Sequence, residues 1–163
     1  MHRIVAVAVV LAAGTVRAEP APNILVADLG LHVVGVGYQR TVAPNIALQI
    51  DAESYTPWTQ EDTFFEVSGF VVRARPFFYK NAAPTGWWLS PFAQAGIASA
   101  TRGSGLAWAA GASIGYAWLV ADHLHIAIGA GAQYDQARIA GGSARPAFAE
   151  IWPTLDGILG YAF

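Results

Sequence analysis

The sequence predicts an all-β chain: an eight-stranded antiparallel up-and-down transmembrane β-barrel, preceded by a cleaved leader. Three observations carry this reading. Short stretches alternate bulky apolar residues with polar or small ones at every second position, the period of a strand with two unlike sides. Hydrophobic residues make up 55% of the 163 and mean hydropathy is +0.39, yet no apolar run of about 18 residues follows the leader, so no membrane-crossing helix is expected. The large aromatics gather near the ends of the apolar faces, with aliphatics between them, as on a barrel whose greasy side looks out.

Met1-His2-Arg3 is a short positive start and Ile4 to Ala13 a continuous apolar run. Gly14 to Ala18 offers the small or aliphatic residues that a signal peptidase reads, so residues 1–18 are taken as a signal peptide and 19–163 as one barrel domain. The chain has no cysteine, so an exported form must be held by strand pairing and burial. Loss of Arg3 and Arg17 with the leader takes the formal charge from −2 to −4, which argues against nucleic acid as a partner.

The strands follow in order. Asn23 to Leu29 sets Leu25, Ala27 and Leu29 against Asp28, and Gly30 allows a reversal. Val33 to Arg40 sets Val34, Val36 and Tyr38 against Gly35, Gly37 and Gln39. Thr41 to Asn45 reads as a turn around Pro44. Ile46 to Tyr55 alternates Ile46, Leu48, Ile50 and Ala52 with Gln49, Asp51 and Glu53. After a polar loop from Thr56 to Asp62, a strand from about Phe64 to Tyr79 carries Phe70, Val72, Ala74, Pro76 and Phe78 opposite Arg73 and Arg75. Its pattern weakens near Glu66 and Ser68, where a bulge is expected.

Beyond a turn at Lys80 to Gly86, the fifth strand runs from Trp87 to about Ala100, with Ser90, Gln94 and Gly96 on its polar side. Thr101 to Gly105 is a loop. The sixth strand, Ala107 to Val120, has Trp108, Ile114, Tyr116 and Trp118 on one face and small residues on the other. A turn around Asp122 leads to the seventh, where Ile126, Ile128 and Tyr134 oppose His125, Gln133 and Asp135. Residues 137–147 form a loop. The last strand, Ile151 to Phe163, carries Leu155, Leu159, Tyr161 and Phe163 on one side and Thr154, Asp156, Ile158 and Ala162 on the other. An even count puts both chain ends on one side of a membrane.

The smaller faces hold Gln39, Gln49, Asp51, Glu53, Arg73, Arg75, Gln94, Gln133, Asp135 and Asp156, which a narrow interior accepts when they pair with one another. Asp51, Glu53, Arg73, Arg75, Gln94 and Asp156 are therefore taken as an interior polar network. The turn at 80–86 sets Arg73 opposite Phe92 and Arg75 opposite Ser90, with an arginine stacked on Phe92 and paired to Asp51 as a plug. A proton- or ion-conducting seam is the functional counterpart of that plug.

Other chemistry is weaker. His123 and His125 would share one strand face beside Asp122, but two ligands without a third make a poor metal site, and polar residues at a rim explain them better. No metal or cofactor is expected. Ser113, set opposite Gly131, stands about 20 Å from His125 at strand rise, too far for a nucleophile and base. The register of His32 is open. Gly35-x-Gly37 is followed by no helix and is not a dinucleotide fingerprint.

The run Gly35-x-Gly37-Tyr-Gln-Arg40 with Pro44-Asn45, the Arg-rich strand and Trp-Trp-x-x-Pro-Phe of Val71–Phe92, the segments Gly111–Trp118 and Ile126–Tyr134, and the terminal Gly160-Tyr-Ala-Phe163 together resemble an uncharacterised family of small bacterial outer-membrane barrels. The resemblance implies an eight-stranded barrel in the bacterial outer membrane and supplies no catalytic residues. The aromatic ending also resembles the closing strand of such barrels, which implies Tyr161 and Phe163 as the signal read by the barrel-assembly machinery. It places the chain ends on the periplasmic side, with the turns at 41–45, 80–86 and 121–123. The loops at 56–63, 101–106 and 137–147 then face out, and their shortness argues against an adhesin. The expected role is non-enzymatic, structural or in envelope interaction, with outer-membrane lipid and an unidentified small ligand or envelope component as partners. A narrow channel or small-molecule binding barrel is the alternative, and a lipid-modifying hydrolase a more distant one.

Overall fold

The computed structural model describes residues 22–56, 67–100, 103–139 and 146–163. The leader and its cleavage point, the polar loop from 57 to 66 and the expected bulge at Glu66 lie outside the described residues. Eight antiparallel strands close into one barrel in sequence order. They are β1 (Asn23–Gly30), β2 (Val33–Ala43), β3 (Ile46–Tyr55), β4 (Ser68–Tyr79), β5 (Gly86–Ala100), β6 (Gly103–Val120), β7 (Leu124–Ile139) and β8 (Pro146–Ala162). Closure leaves no sheet edge, which suits a chain without disulfides.

Strand parity follows the sequence throughout, because a two-residue period gives each residue only two sides to choose between. The outcome is a barrel of inverted polarity. Ile50, Ile114 and Ile128 point outward and are 61%, 58% and 59% exposed, whereas Asp51, Arg73 and Glu53 point inward at 1%, 1% and 0%. The first and last strands join through Asn23 and Phe163, whose backbone N–H groups each donate to the other's carbonyl at 3.1 and 2.8 Å.

Several boundaries differ from the sequence reading. β2 runs on to Ala43, so the turn shrinks to Pro44 and Asn45. β6 begins at Gly103 and β7 reaches Ile139, so the hairpin strands cover residues read as loops. Glycines and polar residues at strand ends look like loop residues until neighbouring strands pair with them. The pairing around Ser68 is regular, Ser68 with Ser99 and Gly69 with Tyr55. Among the described residues the register shifts fall at Thr41/Ala43 and Ala137/Arg138.

A backbone hydrogen bond closes the three-residue turn between β6 and β7. His123 N–H donates to the Val120 carbonyl at 3.3 Å, and the two central residues, Ala121 and Asp122, have φ of 51° and 63°. Positive φ at both centres matches the right-handed twist of the flanking strands.

Candidate functional site

The interior is stacked in three layers. At the end holding Asn23 and Phe163, Ile24, Val26, Phe77, Tyr79, Trp88 and Ile158 form an apolar cluster. At the other end, Val33, Tyr55, Val67 and Val71 form a second, with Ala98, Ala107 and Ala137. Between them lies a polar layer built around Arg73 and Arg75.

Arg75 is the hub. Its Nη1 and Nη2 donate to Asp156 Oδ1 and Oδ2 at 3.1 and 3.2 Å. The same side chain donates to Ser90 Oγ at 3.1 Å, Ser113 Oγ at 3.0 Å and Asp28 Oδ2 at 3.4 Å. Its guanidinium lies 4.7 Å from the Phe77 ring centre and 5.7 Å from that of Trp88, so the charge is held by carboxylates and aromatic faces together. Arg73 donates to Gln94 Oε1 at 3.0 Å, stacks on Phe92 at 5.0 Å, and lies 3.4 to 3.7 Å from Glu53, Asp28 and Asp156.

All six interior residues named from the sequence, Asp51, Glu53, Arg73, Arg75, Gln94 and Asp156, are buried in the lumen. Two details differ. Arg73 pairs in register with Gln94, two residues beyond the expected Phe92; Phe78 keeps the same offset with Leu89. Pro76 and Pro91 have no N–H to give the ladder between these pairs. The expected Phe92 and Ser90 contacts form all the same, because an arginine reaches diagonally along the wall. Asp51 lies beside Arg73 in register, but its carboxylate accepts from Gln49 Nε2 at 2.8 and 3.0 Å rather than from an arginine.

The carboxylate missing from the expected network is Asp28. It is fully buried, accepts from Gln49 and Arg75, and lies 3.5 Å from Arg73. Its position opposite Leu25 and Leu29 gave its side of the strand; which groups lie across the lumen depends on strand stagger, which alternation does not encode. Asp28, Asp51 and Glu53 can each bring a carboxylate oxygen within 4.8 Å of the others, the only such trio among the described residues. The guanidiniums of Arg73 and Arg75 already stand against it as counter-charges.

Glycines make room for this layer. Gly37 and Gly35 pair with Asp51 and Glu53, and a Cβ on either would run into those acids. Gly115 and Gly129 pair with each other and form the recess for the Trp88 indole.

The histidines do not meet. His123 is an exposed turn residue, one position before β7, whereas His125 is buried and its Nε2 donates to the Pro84 carbonyl at 3.2 Å. The shared strand face expected for them is corrected by the turn, which removes His123 from the alternation. His32 Nδ1 lies 3.1 Å from Asp135 Oδ2 and its ring stands 5.8 Å from that of Trp152. Ser113 pairs with Gly131 as expected. Tyr161 and Phe163 face outward and are 59% and 61% exposed.

No protein-family model matches the chain, and no curated protein does. Among solved structures, the chain is similar to one described as "De novo design of transmembrane beta-barrels", at 15% identity and a TM-score of 0.35, covering 90% of this chain and 98% of that one. What stands on this chain's own geometry is a closed eight-stranded antiparallel barrel with a buried polar layer.

Proposed function

We propose that this chain is an integral barrel of the bacterial outer membrane, exported by the signal peptide at residues 1–18, with a filled interior and a structural or envelope-interaction role. One observation carries the reading: the inverted polarity of the wall. Leu, Ile, Val and aromatic side chains cover the outside on every strand, while the strand acids lie within. A continuous apolar surface of this extent is unstable in water and suits hydrocarbon. Trp87, Tyr116 and Trp118 cluster toward one end of the wall and Trp108 with Tyr134 toward the other, as aromatic belts do at two interfaces.

The two apolar clusters cap the polar layer, which favours a plug over a conducting seam. No serine or histidine is given a catalytic role: Ser113 is engaged by Arg75, and His125 by Pro84. Tyr161 and Phe163 are proposed as the residues read by the assembly machinery. Heat-modifiable gel mobility on purified outer membranes tests location and barrel together. A compact unheated band that shifts on boiling supports the proposal. Monodisperse behaviour in buffer without detergent, with Trp87 and Trp118 shielded from quenchers, would overturn it.

A further inference from the structure

The outward face carries only two charges among the described strand residues, Arg40 on β2 and Arg138 on β7. Both are cations, both are exposed, and neither has a carboxylate partner among the described residues. They sit near opposite ends of the barrel: Arg40 pairs with Asn23 beside the junction with Phe163, and Arg138 pairs with Leu106 near the start of β6.

The approach to each arginine has the same chemistry. Along the outer side of β7 the residues run Ala132, Tyr134, Gln136, Arg138, in steps of about 6.7 Å. Along β2 they run Val36, Tyr38, Arg40. Hydrocarbon gives way to an aromatic ring and then to a fixed cation. Beside each arginine an aromatic group donates to an amide oxygen. Trp108 Nε1 donates to Gln136 Oε1 at 3.0 Å, and Tyr38 Oη to Asn23 Oδ1 at 2.6 Å. An indole N–H can only donate, so Gln136 must present its oxygen to Trp108 and keep its NH₂ group free. Asn23, with its oxygen taken by Tyr38, likewise keeps its NH₂ beside Arg40. Each end thus offers a guanidinium fork and an oriented amide donor at the edge of an apolar wall. Ser104, exposed on β6, lies diagonally across from Arg138 and adds a hydroxyl there.

We propose that these two clusters, Arg138 with Gln136 and Arg40 with Asn23, bind the anionic phosphates of lipid headgroups, one in each leaflet. The inference rests on the membrane reading above and names the partner of that wall. A phosphate accepts two parallel N–H bonds from a guanidinium and a third from an amide, and the adjoining apolar surface receives the acyl chains. A free phosphate would find the donors without the wall; a diacylglycerol would find the wall without using the donors.

The test uses the whole barrel refolded in a neutral maltoside detergent. It is titrated with short-chain phosphatidic acid, with the matching diacylglycerol and with inorganic phosphate, and adducts are read by native mass spectrometry. Phosphatidic acid is expected to bind roughly tenfold more tightly than either comparison ligand, the scale of one charge-assisted hydrogen bond. Arg138→Gln and Arg40→Gln should each remove one class of adduct, and Arg138→Lys should retain part of it. Heat-modifiable mobility confirms that each variant is folded; should Arg138→Gln fail to fold, Arg138→Lys and Arg40→Gln carry the comparison. Equal binding of phosphatidic acid and diacylglycerol, equal binding of inorganic phosphate, or indifference to these substitutions overturns the proposal while leaving a detergent-dependent barrel intact. A chain that stays monodisperse without detergent overturns the membrane reading and this proposal with it.

Discussion

Arg75 and Asp156 meet fork to fork, Nη1 to Oδ1 at 3.1 Å and Nη2 to Oδ2 at 3.2 Å, joining β4 to β8 across the lumen. Both side chains are buried, so neither finds water when the other is removed. Asp156→Ala is therefore expected to cost about 3 kcal/mol of unfolding free energy, because it leaves a buried cation short of its main carboxylate. Asp156→Asn keeps an acceptor and should cost less. Urea unfolding of the barrel in vesicles, followed by tryptophan emission, measures both. Equal stability of Asp156→Ala and the parent would show that the pair is not holding the interior.

Arg73 gives a separate expectation. Its truncation to Ala removes the stack on Phe92 and the bond to Gln94, so the thermal midpoint should fall. The apolar clusters at both ends are untouched by this change. No steady ion current should therefore appear in planar bilayers. Sustained conductance in Arg73→Ala would mean that the polar layer, rather than the apolar ends, closes the barrel.

The recess for Trp88 can be probed at Gly129. A Cβ there would press on the indole and come within 3.1 Å of the Ile114 carbonyl oxygen. Gly129→Ala should cost about 1–3 kcal/mol through overpacking and shift the Trp88 emission. The clash belongs to a pair, so Trp88→Leu should relieve it. A double-mutant cycle is expected to show coupling of about 0.5–3 kcal/mol, and additivity would place the strain elsewhere.

The β6–β7 turn offers a gain. Ala121 sits at a φ of 51°, where a Cβ is disfavoured and a glycine is not. Ala121→Gly should stabilise by about 0.5 kcal/mol once the extra freedom of the unfolded glycine is counted. Chemical denaturation of the two forms side by side decides the sign.

Much of this architecture is legible in the sequence. The strands and their two faces follow from alternation on most of the wall, although β1, β4, β5 and β8 also turn large apolar residues inward, at Ile24, Phe77, Trp88 and Ile158. Register is less legible. A slide of two residues leaves parity unchanged, so the sequence alone does not separate Phe92 from Gln94 as the partner of Arg73. Alternation gives Asp28 its face but not its place in the network, since its partners come from β3 and β4, which only the stagger of the closed sheet brings to it. His123 matches the spacing of β7 but precedes the strand, which begins one residue later. Alternation fixes the side of each residue; turns and stagger decide the neighbours.

The reciprocal bonds between Asn23 and Phe163 make the cylinder a ring without a privileged start. A short linker could splice those two residues, and the chain could be opened at Ala121 and Asp122 instead. The wall would keep the same neighbours in the same rotation, with new ends at the same rim. Its shape belongs to the cycle of strands rather than to the order in which they are threaded.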